Sequence, residues 1–273
     1  MQFFKSSYIL YESMIRILFY LIFLFTVLIN PSNAQTAEEY VASGDKYYSE
    51  FRNVDALGQY KKAYELDPNS FEILKRLALT SNDSGEDLRD SDMETAKQYF
   101  RESVTYAKLA QQKFPDVPET HFLLAISYGN LARYSRGKEK VKLARNVEYN
   151  LQKMIELKPE FAPSYIALGI YYRQASNLSW FQRKFANSFL GGLPEGTIED
   201  SRDSLLTALE LDPDFIITHY EIGRTYKEMD EYEKANYHFN KVLELDIQDH
   251  GDIIKQEKVK IILNSEKFKA RLD

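Results

Sequence analysis

From Ala37 onward, apolar residues recur at spacings of three and four, which predicts a succession of amphipathic helices rather than strands. The pattern halts and restarts at Pro68, Pro115, Pro159 and Pro213. Each proline closes a similar phrase: Ala63-Tyr64-Glu65-Leu66-Asp67, Ala110-Gln111-Gln112-Lys113-Phe114, Met154-Ile155-Glu156-Leu157-Lys158 and Ala208-Leu209-Glu210-Leu211-Asp212. A fifth phrase, Val242 to Asp246, ends in Ile247 where the proline would stand. Proline suits a boundary because it lacks an N–H and disfavours helix in the residue before it, so one helix stops and the next can begin. The chain therefore reads as a repeat of helix pairs. One pair cannot cover its own apolar stripe, so the pairs must stack.

Placing each proline near the end of a unit of about 34 residues sets the unit starts at Ala37, Phe71, Pro118, Ala162 and Ile216. The units then cover about 37–70, 71–117, 118–161, 162–215 and 216–249. In this register the eighth position is always small: Gly44, Ala78, Ala125, Gly169 and Gly223. The eleventh is Tyr47, Ser81, Tyr128, Tyr172 and Tyr226. On the second helix, Ala56, Tyr60 and Ala63 of the first unit correspond to Ala235, Phe239 and Val242 of the last. These positions resemble the tetratricopeptide repeat (TPR), a helix–turn–helix whose pairs stack into a right-handed superhelix. The expected fold is all-α, a TPR-like α-solenoid of about five helix pairs over residues 35–273. A last helix, about 252–268, carries Ile254, Val259, Ile262 and Leu263 among lysines and glutamates and reads as a cap on the open end.

The first 34 residues follow a different pattern. Ile17 to Ile29 is apolar apart from Tyr20 and Thr26, is preceded by Arg16 and is followed by Ser32-Asn33-Ala34. That is the layout of a secretory signal peptide spanning 1–34 and cleaved after Ala34. As a helix the run would be roughly 20 Å long against a bilayer core of about 30 Å, which disfavours a permanent span. Export to the periplasm of a Gram-negative bacterium is the expectation, with an uncleaved N-terminal membrane anchor as the alternative. The chain has no cysteine, so neither disulfides nor a lipid-modified cysteine enter. Its formal charge is −6, and loss of Lys5, Arg16 and Glu12 makes it one unit more acidic. An acidic domain is a poor match for nucleic acid or an anionic membrane.

The proline spacings exceed the repeat length, so units two, three and four carry inserts. The first, Asn82 to Glu94, holds Asp83, Glu86, Asp87, Asp90, Asp92 and Glu94. A calcium loop needs a glycine at its sixth position, and Gly85 falls at the wrong offset from Asp83, so no metal is expected. The second, Arg133 to Arg145, holds Arg133, Arg136, Lys138, Lys140, Lys142 and Arg145, and the two inserts are expected to face each other across the stack. The third begins at Leu178 and places Phe181, Phe185 and Phe189 four apart beside Trp180, before Gly191, Gly192 and Pro194 end the helix.

A long fourth-unit insert finishing in Leu190-Gly191-Gly192-Leu193-Pro194, before a helix and Leu211-Asp212-Pro213, resembles the regulator of microtubule dynamics family and its bacterial relatives. It is also similar to the T-component proteins of periplasmic substrate-binding transporters. From the first resemblance the fold is expected here and the microtubule partner is not, because an exported protein would not meet tubulin. The second implies an oligomeric periplasmic protein that carries a hydrophobic ligand, in an apolar cavity bounded by Trp180, Phe181, Phe185, Phe189 and Leu193, or docks a transporter binding protein. A homo-oligomer is therefore among the expected partners.

In tetratricopeptide repeats the first helices line a concave groove. Carried onto this chain, its lining is Phe122, Ile126 and Asn130, then Ile166, Ile170 and Arg173, then Tyr220, Arg224 and Lys227. An apolar floor with basic residues at one end suits an extended peptide, a partner helix or an acidic chain terminus. Catalysis finds no motif: no His-Glu-x-x-His, Gly-x-Ser-x-Gly or phosphate loop occurs, and no cofactor is implied. His121 and His219 fall at a packing position of their units. The expected role is an exported, non-enzymatic module or scaffold for a protein or peptide partner.

Overall fold

The computed structural model describes residues 35–179, 183–184, 187–188, 192 and 196–272. Among the described residues the helices are α1 (Ala37–Ser49), α2 (Asn53–Leu66), α3 (Phe71–Leu88), α4 (Met93–Lys113), α5 (Glu119–Tyr134), α6 (Gly137–Leu157), α7 (Ala162–Ser176), α8 (Ile198–Leu211), α9 (Ile216–Glu228), α10 (Tyr232–Glu244), α11 (His250–Asn264) and α12 (Glu266–Lys269). Ten of them form five consecutive pairs, α1 with α2 through α9 with α10, and each pair packs on the next. The architecture is an all-α solenoid.

The prolines act where the sequence places them. Asp67, Phe114, Lys158 and Asp212, the residues before them, leave helical geometry with φ between −149° and −130°. Each still donates its N–H back into the helix, to the carbonyls of Ala63, Ala110, Met154 and Ala208. The small eighth position has an equally direct cause. A β-carbon on Gly44 would lie 2.4 Å from the Tyr60 ring, one on Gly169 2.5 Å from Leu205, and one on Gly223 2.7 Å from Phe239. In these three pairs the helices approach so closely that a β-carbon would collide with the facing side chain.

The buried clusters straddle the pairs, which is what binds the stack together. Leu74, Ala107 and Leu123 join α3, α4 and α5. Leu151 and Leu168 join α6 and α7, and Ile166, Leu205, Ile216 and Phe239 carry the core through to α10. Deletion of one large side chain from such a cluster typically costs about 2–5 kcal/mol.

The first two inserts lengthen helices instead of forming loops. α3 has 18 residues and α4 and α6 have 21 each, against 13 and 14 in the first pair. Asp92 caps α4, its carboxylate accepting the Thr95 N–H at 3.1 Å. The chain end differs from a single helix over 252–268. It breaks at Ser265, whose hydroxyl accepts the Phe268 N–H and starts α12. α11 packs on α10 and α9 where the first helix of a sixth pair would stand, with Val259 fully buried. Gln256 donates to the carbonyls of Val242 and Leu245 at the end of α10, and Phe268 seats against Tyr232 and Phe239. Among the described residues no helix is long and apolar enough to cross a membrane. The run Ile17 to Ile29 lies outside them.

Candidate interaction surface

The first helices of pairs three, four and five, α5, α7 and α9, pack on one another in order, so equivalent positions on them line up. Their groove-facing residues divide into two groups. Phe122, Ile126, Asn130, Ile170, Arg224 and Lys227 are half-buried and keep some surface. Ile166, Arg173 and Tyr220 are buried, at 4%, 2% and 9% exposure, and belong to the packing between α7 and α9. Phe122 meets Phe161 edge-on at 5.0 Å. The Arg224 guanidinium lies 5.6 Å over the Tyr220 ring.

The charge pattern differs most from the register-based reading. Arg173 is not a free cation at a groove end. Its Nη1 donates to Glu228 at 3.0 Å, and its Nη2 pairs with the buried carboxylate of Glu221. Arg224 adds a longer contact to Glu221 at 3.4 Å, and Asn177 donates to the other oxygen of Glu228 at 2.8 Å. The chain thus supplies its own acidic ligands to two of the three basic residues. Among the described residues Lys227 has no ion-pair partner and remains the cation of this trio open to an incoming group. Glu221 and Glu228 were the missed members. Glu221 stands one turn before Arg224, a spacing visible in the sequence, while its pairing with Arg173 across the helices was not.

The acidic and basic inserts meet at one point. Glu86 accepts from Arg89 at 2.7 Å and from Arg133 at 3.1 Å. Lys138, Lys140 and Lys142 are exposed and form no ion pair among the described residues, so the expected face-to-face pairing is confined to Arg133. Part-exposed pairs of this kind contribute well under about 1 kcal/mol each. Two other acidic side chains of the insert bond back to the first pair: Asp83 accepts the Tyr48 hydroxyl at 2.9 Å, and Asp87 accepts from Asn53 at 2.9 Å. At the far end of the basic helix, Arg145 donates through Nε and Nη2 to the Gly192 carbonyl, at 3.1 and 2.6 Å. Gly192 has φ +88°, a conformation that favours glycine. Arg183 donates to the Ala175 carbonyl at 2.6 Å at the end of α7. Trp180, Phe181, Phe185, Phe189 and Leu193 lie outside the described residues.

His121, His219 and His238 are packed between helices. His121 contacts Asn150 at 2.8 Å, and the Nδ1 atoms of His219 and His238 meet at 3.0 Å between α9 and α10. Burial lowers both members of that pair, and with the added field of His219 it takes His238 down to about 4.

The profile of the family described as regulator of microtubule dynamics protein 1-3 matches residues 40–267. The chain belongs to that family. It is similar to regulator of microtubule dynamics protein 1 of Mus musculus, 28% identical over 206 residues covering 73% of this chain and 65% of that one. It is 30% identical to the Homo sapiens protein 1 over 152 residues, covering 55% of this chain and 48% of that one. The chain thus spans less than two thirds of the length of these family members. Among solved structures it is similar to a thermophilic TPR protein of Thermus thermophilus, with a TM-score of 0.62 at 18% identity over 83% of this chain and all of that one. At that identity the likeness establishes the tetratricopeptide fold.

Proposed function

We propose that this member of the regulator of microtubule dynamics family is a protein-interaction module that binds an extended peptide or partner helix along its concave face. The observation that carries the reading is the pair of half-buried residues Ile126 and Ile170 on successive packed first helices, with Asn130 one turn further on α5 and Lys227 on the next first helix, α9. An apolar strip edged by a few polar groups can hold a side-chain row, while main-chain or carboxylate groups meet the edge. The role proposed is binding and not catalysis.

Export belongs to the same proposal. It rests on the apolar run Ile17 to Ile29 and the small residues at 32 and 34. A mature N-terminus at Gln35, read by terminal sequencing of protein made in a bacterial host, supports it; retention of Met1 or Met14 removes it.

The binding reading is tested by crosslinking from the envelope fraction with the wild-type chain and with the double variant Asn130→Arg, Lys227→Glu. Both positions keep solvent exposure, so the helical signal should be unchanged. A partner captured by the wild type, lost in the double variant and kept by Tyr237→Ala on α10 supports the groove. A partner that is indifferent to the double variant sinks it.

A further inference from the structure

His250, the first residue of α11, lies 163 positions after Asp87, and its Nδ1 contacts the Asp87 carboxylate at 2.7 Å. The imidazole also stacks on Phe51, with centroids 5.9 Å apart and planes 28° apart. Phe51 has φ +60°, a left-handed conformation that a bulky residue adopts only when its surroundings hold it there. The same Asp87 accepts from Asn53, and Tyr48 donates to Asp83 one turn earlier on α3. Three distant parts of the chain therefore meet: the turn between α1 and α2, the end of α3, and the start of α11.

In a solenoid each unit touches its neighbours, and a contact between the first two units and α11 lies outside that rule. This contact is small, one hydrogen-bonded pair and one ring stack. The apolar side of α11, with Val259, Ile262 and Leu263, packs into the cluster around α9 and α10 and contributes nothing to it. A contact without its own apolar core is the kind that opens without unfolding its surroundings.

We propose that the Asp249-His250 segment is a releasable clasp, closing the solenoid on itself through Asp87 and Phe51 and thereby setting how far the concave face opens. Its effect on partner access rests on the groove-binding reading above, whereas the clasp itself does not.

The charges around the clasp make its closure proton-sensitive. Burial pushes Asp83 up to about 7 against the opposing hydrogen bond from Tyr48, and the fields of Asp249, Asp87 and Glu86 add to the rise. Glu86 is held by Arg89 and Arg133, and the Lys258 ammonium on α11 lies in the fields of Arg89, Asp90, Glu86 and Arg224. Opening withdraws the Asp249 carboxylate, whose field holds Asp83 up, so the closed form binds the Asp83 proton more tightly than the open one. A carboxyl raised in the closed form favours closure at low pH, and that advantage is lost as pH climbs toward about 7.

The absence of cysteine makes the test direct. Ser49→Cys and Ile247→Cys, both exposed, carry a spin-label pair whose separation is read by pulsed electron resonance with no partner present. The wild type should give one short, narrow distance at about pH 5.5, with a longer population growing toward about pH 8.5. His250→Ala should show the longer population throughout, displaced by about 5 Å or more, roughly one helical turn. Phe51→Gly, which removes the ring and relaxes the backbone, should do the same. If both variants keep the short distance at every pH, the clasp is refuted. If they open while the wild type ignores pH, the proton link is refuted and the clasp stands. Because no partner is present, either failure is separable from a failure of the groove reading.

Discussion

Arg173 on α7 is buried with its guanidinium between Glu221 and Glu228 of α9, so a residue facing the groove by repeat register is instead a rivet between two neighbouring units. Its Nε has no hydrogen-bond partner, and the ion pairs carry the cost of its burial. Removal of one partner from a buried pair is strongly destabilising because the other is left charged in a poor solvent.

Arg173→Leu is therefore expected to destabilise the fold by about 3 kcal/mol, since the buried Glu221 keeps only the longer contact to Arg224. Glu228, with 28% of its side chain exposed, can turn to water, and Glu228→Gln should cost about 1 kcal/mol or less. Urea unfolding followed by far-ultraviolet circular dichroism distinguishes the two. Equal midpoints for both variants would contradict the rivet.

Glycine positions offer a paired comparison. Gly223→Ala places a β-carbon 2.7 Å from the buried Phe239 ring and should lower stability by about 1–3 kcal/mol. Gly58, in the middle of α2, has nothing within 4 Å of where its β-carbon would go. Gly58→Ala should raise stability by about 0.5–1 kcal/mol through helix propensity alone. Opposite shifts in denaturation midpoint are the expected result.

The buried histidine pair predicts an acid limit to stability. His238 is held down to about 4 by burial and by His219, so the folded state prefers the neutral imidazole. The stability this group contributes is fully present above the usual histidine range near 6.5 and is lost as pH falls from there toward about 4. A melting temperature that drops across this window, with a smaller drop in His238→Phe, is expected; an identical drop in the variant removes the pair as its cause.

At the start of α8, the Thr197 hydroxyl accepts the Asp200 N–H at 3.0 Å while the Asp200 carboxylate accepts the Thr197 N–H at 2.9 Å. Thr197→Ala removes half of this reciprocal cap and should cost about 1 kcal/mol. Hydrogen exchange should quicken in the first turn of α8 before it does in α9.

Much of the fold was readable because its causes are local. Helix stops at Asp67, Phe114, Lys158 and Asp212 follow from the proline after each, and the glycines at 44, 169 and 223 announce close approach whatever lies elsewhere. The groove was only half readable. Register put Ile126, Ile170 and Lys227 on the accessible side, but it put Arg173 there too. Whether that side chain reaches solvent depends on Glu221 and Glu228, 48 and 55 residues later. The extra residues of the acidic and basic inserts could equally have formed loops or longer helices, because a charged stretch satisfies its backbone either way.

What the sequence by itself determined was the succession of amphipathic pairs and the requirement that they stack, since both follow from periodicity and from proline sterics within a few residues. Only the tertiary structure decided how tightly the stack curves. That curvature brings His250 to Asp87 and Phe51, and it arises from the summed packing angles of every pair between them, which no local stretch of sequence encodes.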